Sequence, residues 1–286
     1  MANENESRTS ENDAPSPAPI VPFERTQEQK DSKYKQLAAE WAVREETRPK
    51  TGNRIVLDAG SSCLAVWERL LRDIKGNRLP FMSVCTNNFR VLEKWGEHAG
   101  AGCVPVRDTR VELFASQLNP EHLAFYDTAA PTKLLDPNFR PYVVYIGTSA
   151  IEFDGSSIFF GYHGPEEQRQ IKELLFKCYA KFRVILATPA KIGCAGCHVF
   201  DILSVEDLNT EAPIYLVTAA PDPQTGAETR QYFDRAKDIF RSEPIQTAVS
   251  KRNLQFKWVI LDPCNDGVPR VIEILSAPEE GVEKQG

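Results

Sequence analysis

From Arg54 onward the chain alternates short runs of consecutive apolar residues with stretches whose apolar positions recur every three or four residues. Ile55-Val56-Leu57 predicts a strand, and Leu64, Trp67, Leu70, Leu71 and Ile74 predict the buried stripe of the helix that follows. Residues 81–85 and 103–106 read as the second and third strands, with a helix through Val91, Leu92 and Trp95 between them. Residues 142–146, 184–187 and 214–217 read as further buried strands. Gly164-Pro165-Glu166-Glu167 opens another helix, with proline near the first turn and acids at the positive end of the helix dipole. Its stripe is Ile171, Leu174, Leu175, Cys178 and Phe182. Strands apolar along their whole length, alternating with amphipathic helices, predict an α/β fold with a mostly parallel sheet covered by helices on both faces. The tail predicts a C-terminal β-hairpin, because residues 258–261 and 271–275 flank an Asp266-Gly267 turn. The stretch 111–141 follows neither period and reads as irregular.

Ahead of this pattern the chain changes character. Residues 1–31 are rich in Glu, Asn, Ser and Pro and poor in large apolar side chains, so they are expected to be a disordered acidic leader. Residues 32–52 read as a helix and linker: Tyr34, Leu37, Ala38, Trp41 and Ala42 recur at helical spacing before Arg48-Pro49-Lys50-Thr51-Gly52 breaks the pattern. The expected organisation is completed by one α/β ligand-binding domain over 53–278 and a flexible tail over 279–286.

Composition narrows the function classes. The 286 residues are 42% hydrophobic and include 15 Phe, 8 Tyr and 4 Trp, enough to bury a sizeable core. The 34 basic and 40 acidic side chains leave a net charge of −6, which argues against a protein that coats nucleic acid over its whole surface. No apolar run approaches the ~20 residues of a membrane span, and no secretory signal is visible, so a cytoplasmic protein is expected. Seven cysteines, several inside apolar runs, read as small buried hydrophobes rather than a disulfide framework. Cys194-Ala195-Gly196-Cys197-His198 matches the haem-attachment spacing, but attachment needs an export compartment and a metal site lacks a fourth partner nearby. No cofactor and no metal are therefore expected.

The candidate chemistry lies at the carboxyl ends of the predicted strands, where ligands bind in open parallel sheets. Asp58-Ala59-Gly60-Ser61-Ser62, Thr86-Asn87-Asn88, Gly147-Thr148-Ser149 and Thr188-Pro189-Ala190-Lys191 each follow a strand. Gly60 permits close backbone approach, and the helix after it offers free N–H groups to an anion. Ser61, Ser62 and Thr86 add hydroxyls, Lys191 adds a charge for phosphate, and Asp58 can accept from sugar hydroxyls or hold a loop. The plainer reading is that these residues only cap helices, as any strand-to-helix turn requires.

Three of these stretches, together with the helix start at Gly164, also resemble, in order, the C-terminal sensor domain of DeoR-family sugar-metabolism repressors. Ile55-Val56-Leu57-Asp58-Ala59-Gly60-Ser61-Ser62 resembles that domain's first strand and Asp-Ala/Gly-Gly-Thr-Thr-Thr turn. Val84-Cys85-Thr86-Asn87-Asn88 resembles its Val-Val-Thr-Asn-Ser, and Gly164-Pro165-Glu166-Glu167, with Lys172 beyond, resembles its proline-acidic helix start. Leu186-Ala187-Thr188-Pro189-Ala190-Lys191-Ile192-Gly193 resembles its Leu-Ala-Asp-Ser-Ser-Lys-Phe-Gly. The resemblance spans about residues 54–222 and departs from the pattern at Thr188 and at Val106-Arg107-Asp108-Thr109.

The resemblance implies the Rossmann-like three-layer fold shared with ribose-5-phosphate isomerase and CoA transferases. It also implies a phosphorylated sugar or nucleotide-derived metabolite as ligand, with site residues Asp58, Gly60, Ser61, Ser62, Thr86, Asn87, Glu167, Lys172 and Lys191 and no catalytic residue. The helix-turn-helix of the repressors has no counterpart: residues 1–52 carry 8 basic and 10 acidic side chains, the wrong balance for a DNA reader. The expectation is a regulatory sensor without direct DNA binding, acting through a homo-oligomer or a regulatory protein partner. An isomerase on the same fold, using Asp58 or Glu167 as proton shuttle, and an inactive scaffold are the alternatives.

Overall fold

The apolar runs at 55–57, 142–146, 184–187, 214–217 and 258–261 become strands of one sheet in the computed structural model, which describes residues 22–44, 46–79, 82–101, 109–127, 130–193, 198–264 and 268–277. Strands β1 (Arg54–Leu57), β2 (Ser83–Thr86) and β3 (Arg110–Leu113) step outward to one edge. The chain then returns to the other side of β1 as β6 (Val143–Gly147) and continues outward through β9 (Phe182–Leu186), β11 (Ile214–Ala219), β12 (Phe256–Leu261) and β13 (Val271–Ser276). The eight-stranded order is β13-β12-β11-β9-β6-β1-β2-β3, and every neighbouring pair is parallel except the last two strands of the chain, β12 and β13.

Alternation along each strand divides the core between two faces. Ile55 and Leu57 of β1 share one cluster with Val143 and Tyr145 of β6; Val56 shares the opposite cluster with Val144 and Ile146. Helices α1 (Pro22–Arg44), α2 (Ser61–Lys75) and α3 (Phe89–Gly100) contribute to the first face. The second is covered by α5 (Glu166–Lys177), α6 (Ala227–Phe240) and α7 (Glu243–Lys251), together with an antiparallel sheet of β7 (Ala150–Asp154), β8 (Ser157–Tyr162) and β10 (His198–Asp201). Two layers on one sheet give the expected three-layer α/β architecture.

The differences from the sequence reading have local causes. Helix α1 begins at Pro22, well before residue 32, so part of the expected leader is helical; proline is favoured in a first helical turn because its fixed φ suits the helix. Residues 1–21 and 278–286 lie outside the described residues. Helix α1 is tied into the domain rather than trailing from it: Glu40 accepts from Arg69 at 2.7 Å and Arg72 at 3.0 Å on α2, and the Trp41 ring lies 5.8 Å from that of Tyr215.

The strand beside β2 is Arg110–Leu113; the strand expected at 103–106 lies outside the described residues. Within the stretch read as irregular, β4 (Gln117–Asn119) and β5 (Ala124–Tyr126) pair antiparallel, and α4 (Ala130–Leu134) follows. Elements of three to five residues are too short to display a period. The C-terminal antiparallel pairing is present, with a bulge at Ile260/Leu261, while its turn at 265–267 lies outside the described residues.

Candidate functional site

The reversal of strand order between β1 and β6 opens a crevice beyond their carboxyl ends, the position at which doubly wound sheets bind ligands. A cavity of about 170 Å³ occupies it, lined by Ala59, Gly60, Ser61 and Ser62 from the first turn, Gly147, Thr148 and Ser149 from the β6 end, Tyr162 from β8, Gln168 and Lys172 from α5, and Lys191. The chain reaches this shape through two glycines used differently. Gly60 has φ +121°, which disfavours any other residue, while a Cβ there would meet nothing within 4 Å. Gly147 carries no such strain, but a Cβ on it would lie 3.0 Å from the Ala59 carbonyl and 3.6 Å from Cys63 Sγ.

Asp58 is fully buried behind this surface. Its Oδ1 accepts from the Ala59 N–H at 2.7 Å, and its Oδ2 accepts from the Gly147 N–H at 3.0 Å and from Lys172 Nζ. Burial raises the carboxyl above its ordinary range, while Lys172 and the two N–H groups oppose that rise. Lys172, itself buried, also donates to the Gly147 carbonyl at 2.6 Å. Asp58 thus holds β1, β6 and α5 together and presents no free carboxylate oxygen to the cavity. The hydroxyl-binding role expected for it is taken up by these internal bonds.

Among the described residues Lys191, unlike Lys172, makes no ion pair with a carboxylate. Its Nζ donates to the Thr148 carbonyl at 2.6 Å. Burial, reinforced by the positive charges of Lys35 and Lys172, lowers its ammonium to about 8. A cation in a confined site rich in hydroxyls and N–H groups is suited to compensate a bound anion.

The remaining predicted residues separate into liners and supports. Ser61 and Ser62 line the cavity beside Gly60. Thr86 does not: its buried hydroxyl donates to the Leu57 carbonyl at 2.6 Å and accepts from the Asn88 N–H at 3.0 Å, pinning β2 to β1. Asn87, next to Thr86, is fully buried, and neither amide atom meets a hydrogen-bond partner among the described residues. Glu167 is exposed in the first turn of α5 and is not among the cavity liners.

Asn88 proves to be the organiser of the second turn. Its side chain caps α3 by accepting from the Arg90 N–H at 3.1 Å, and it donates to the Gly60 carbonyl at 3.1 Å. Tyr162 and Gln168 also line the cavity, and neither lies in a strand-end motif of the sequence: Tyr162 ends β8 and Gln168 sits in the first turn of α5. His198 is exposed and its ring stacks on Tyr162, whereas Cys194 and Cys197 lie outside the described residues. Among the described residues no cluster of His, Cys, Asp or Glu is arranged to hold a metal, and no helix is long and apolar enough to cross a membrane.

No protein-family model and no curated protein matches the chain. Among solved structures, it is similar to ribose 5-phosphate isomerase from Plasmodium falciparum at 16% identity and TM-score 0.37, over 56% of this chain and 52% of that one. It is similar to ribose 5-phosphate isomerase A from Methanocaldococcus jannaschii at 13% identity and TM-score 0.34, over 53% and 50%. It is also similar to a chain of the tetrameric eIF2B-beta2-delta2 complex from C. thermophilum at 12% identity and TM-score 0.34, over 57% and 42%. The chain spans about half the length of the first two of these structures.

Proposed function

We propose that the chain is a sensor-type domain that binds a phosphorylated sugar or nucleotide-derived metabolite at the β1–β6 crevice without turning it over. One observation carries this reading: the cavity liners are hydroxyls, an amide, backbone N–H groups and two lysines, with no carboxylate among them. That set receives an anion and offers no carboxylate to serve as the proton shuttle of the isomerase alternative. A cavity of about 170 Å³ is smaller than the roughly 300–1,000 Å³ of sites that enclose a whole ligand. It therefore takes the phosphate and adjoining atoms, with the rest of the metabolite projecting outward. Gly60, Ser61 and Ser62 hold the anion with Lys191 as countercharge, while Asp58 and Lys172 keep the crevice in shape. The resemblance of three strand-end motifs and one helix start to the DeoR sensor domain supports the same reading. The response passes through packing to a second copy or a regulatory protein, not directly to DNA.

The test is thermal unfolding across phosphosugars, free sugars and nucleotides, repeated on Lys191→Ala. A ligand at 100 times its dissociation constant stabilises by about 2.7 kcal/mol. The expected result is a shift that requires the phosphate and is lost in the variant. Turnover of any hit would replace the sensor by the isomerase reading, and no shift with any phosphorylated compound would leave the scaffold.

A further inference from the structure

A larger cavity lies at the opposite end of the sheet from the crevice. It measures about 760 Å³ and is lined by residues at the amino ends of the parallel strands, including Arg54, Arg140, Tyr142, Tyr179 and Lys181. A second cavity of about 680 Å³, lined by Arg48, Lys50 and Arg78, adjoins it and shares Tyr142 and Lys181 with it. Six cations thus border one groove in a chain whose net charge is −6.

Two of the six, Arg48 and Arg78, are paired, both through Asp73. Asp73 is buried between Arg48, Arg69 and Arg78, and Glu46 accepts from the Tyr215 hydroxyl. Glu211 is the other carboxylate among the liners. Among the described residues Lys50, Arg54, Arg140 and Lys181 make no ion pair, and the buried Nε of Arg54 meets no hydrogen-bond acceptor. Aromatic rings interleave with the charges: Lys181 Nζ sits 5.3 Å from the Tyr142 ring centre, where the two cavities join, and Tyr179 is 46% exposed at the wider one.

Cations on both sides of a tyrosine, in a groove longer than one phosphate, match a chain of phosphates with stacked bases between them. Groups that would read base edges are already engaged. Asn53 Oδ1 accepts from the Lys50 N–H, while Asn209 donates to the Cys178 carbonyl and accepts from the Glu211 N–H. We propose that this groove binds single-stranded nucleic acid with little sequence preference, through phosphate contacts to Lys50, Arg54, Arg140 and Lys181 and stacking on Tyr142 and Tyr179. The site is independent of the crevice and stands or falls separately from it.

The experiment is fluorescence anisotropy of the full chain with labelled oligouridine and oligoadenosine over a range of salt, with polyglutamate as competitor. Arg140→Glu/Lys181→Glu, two exposed positions, is expected to weaken binding by tenfold or more, with circular dichroism confirming the fold. Arg230→Glu, exposed near the start of α6, which follows the carboxyl end of β11 at the opposite end of the sheet, is expected to change it by less than about twofold, since screened charges act over about 10 Å. Tyr179→Ala is expected to cost about tenfold, the scale of one lost base stack. Absence of binding at low salt overturns the proposal, as does affinity that ignores the double charge reversal. If polyglutamate binds as tightly and Tyr179→Ala changes nothing, the groove is a docking surface for an acidic peptide and the nucleic-acid assignment fails.

Discussion

Lys172 on α5 reaches back to Asp58 at the end of β1, 114 residues away in sequence, and its ammonium also holds the carbonyl of Gly147 at the end of β6. One side chain therefore clamps the two strands that flank the crevice to the helix that roofs it. The pair is out of water, with Lys172 2% and Asp58 0% exposed, so each charge depends on the other. Removing one partner of such a pair costs about 3–5 kcal/mol, because the other is left buried and uncompensated. Urea denaturation is expected to show a loss of that order for Lys172→Met and a smaller loss for Asp58→Asn/Lys172→Met. Additive losses in the double variant would mean that the two charges do not act on one another.

Lys191 gives the crevice a pH dependence whose sign is fixed by burial. Its folded-state value of about 8 lies below the ordinary 10.5, so between these limits the unfolded chain binds more protons than the folded one. The stability of the wild type relative to Lys191→Met is therefore expected to rise with pH across that window and to be flat below it. Affinity for a phosphorylated ligand is expected to fall as pH rises through about 8, because the countercharge is lost. A binding profile that is level from pH 7 to 10 would remove Lys191 from the anion site.

The two glycines of the crevice make a matched test of why each is glycine. Gly147→Ala drives a methyl to 3.0 Å from a backbone carbonyl and is expected to destabilise by about 1–3 kcal/mol, the usual range for overpacking. Gly60→Ala meets open space but keeps φ +121°, so its cost of about 1–3 kcal/mol is backbone strain. Ligand binding should separate them further, since the turn at Gly60 holds the anion in the proposed site. Equal affinity of Gly60→Ala and wild type would place the anion elsewhere.

Arg183 is fully buried in β9 and makes no ion pair among the described residues. Its guanidinium donates to the carbonyls of Leu175, Cys178, Asn209 and Ala212 at 2.8–3.2 Å, joining the end of α5 to the loop before β11. Desolvation lowers its value to about 10. Lysine has no planar fork, so Arg183→Lys leaves carbonyls unpaired at about 1–3 kcal/mol each. Chemical denaturation is expected to show a loss of several kcal/mol with the crevice ligand still bound by the folded fraction. A neutral substitution would show that water replaces the fork without penalty.

What the chain determined by itself is the sheet and its faces. Runs such as residues 142–146 and 214–217, apolar at every position, have to be covered on both sides, and the stripe through Trp67 and Leu70 has to face one of those sides. Periodicity is a local property, so it is legible without contacts. The turn at Gly60-Ser61-Ser62 and the position of Lys191 at a strand end were legible for the same reason. Only the tertiary structure decided the roles. Asp58 and Lys172 look like ligand groups until α5 folds over β1 and joins them, and Thr86 looks like a site hydroxyl until Leu57 lies beside it. Tyr162 and Gln168 enter the crevice from a hairpin and a helix face whose patterns carry no signal of it. The basic groove is equally non-local: Lys50, Arg54, Arg140 and Lys181 are scattered through the sequence and converge because parallel strands put all their amino ends on one side. Burial and charge pairing act between residues brought together by topology, and topology is a property of the whole chain.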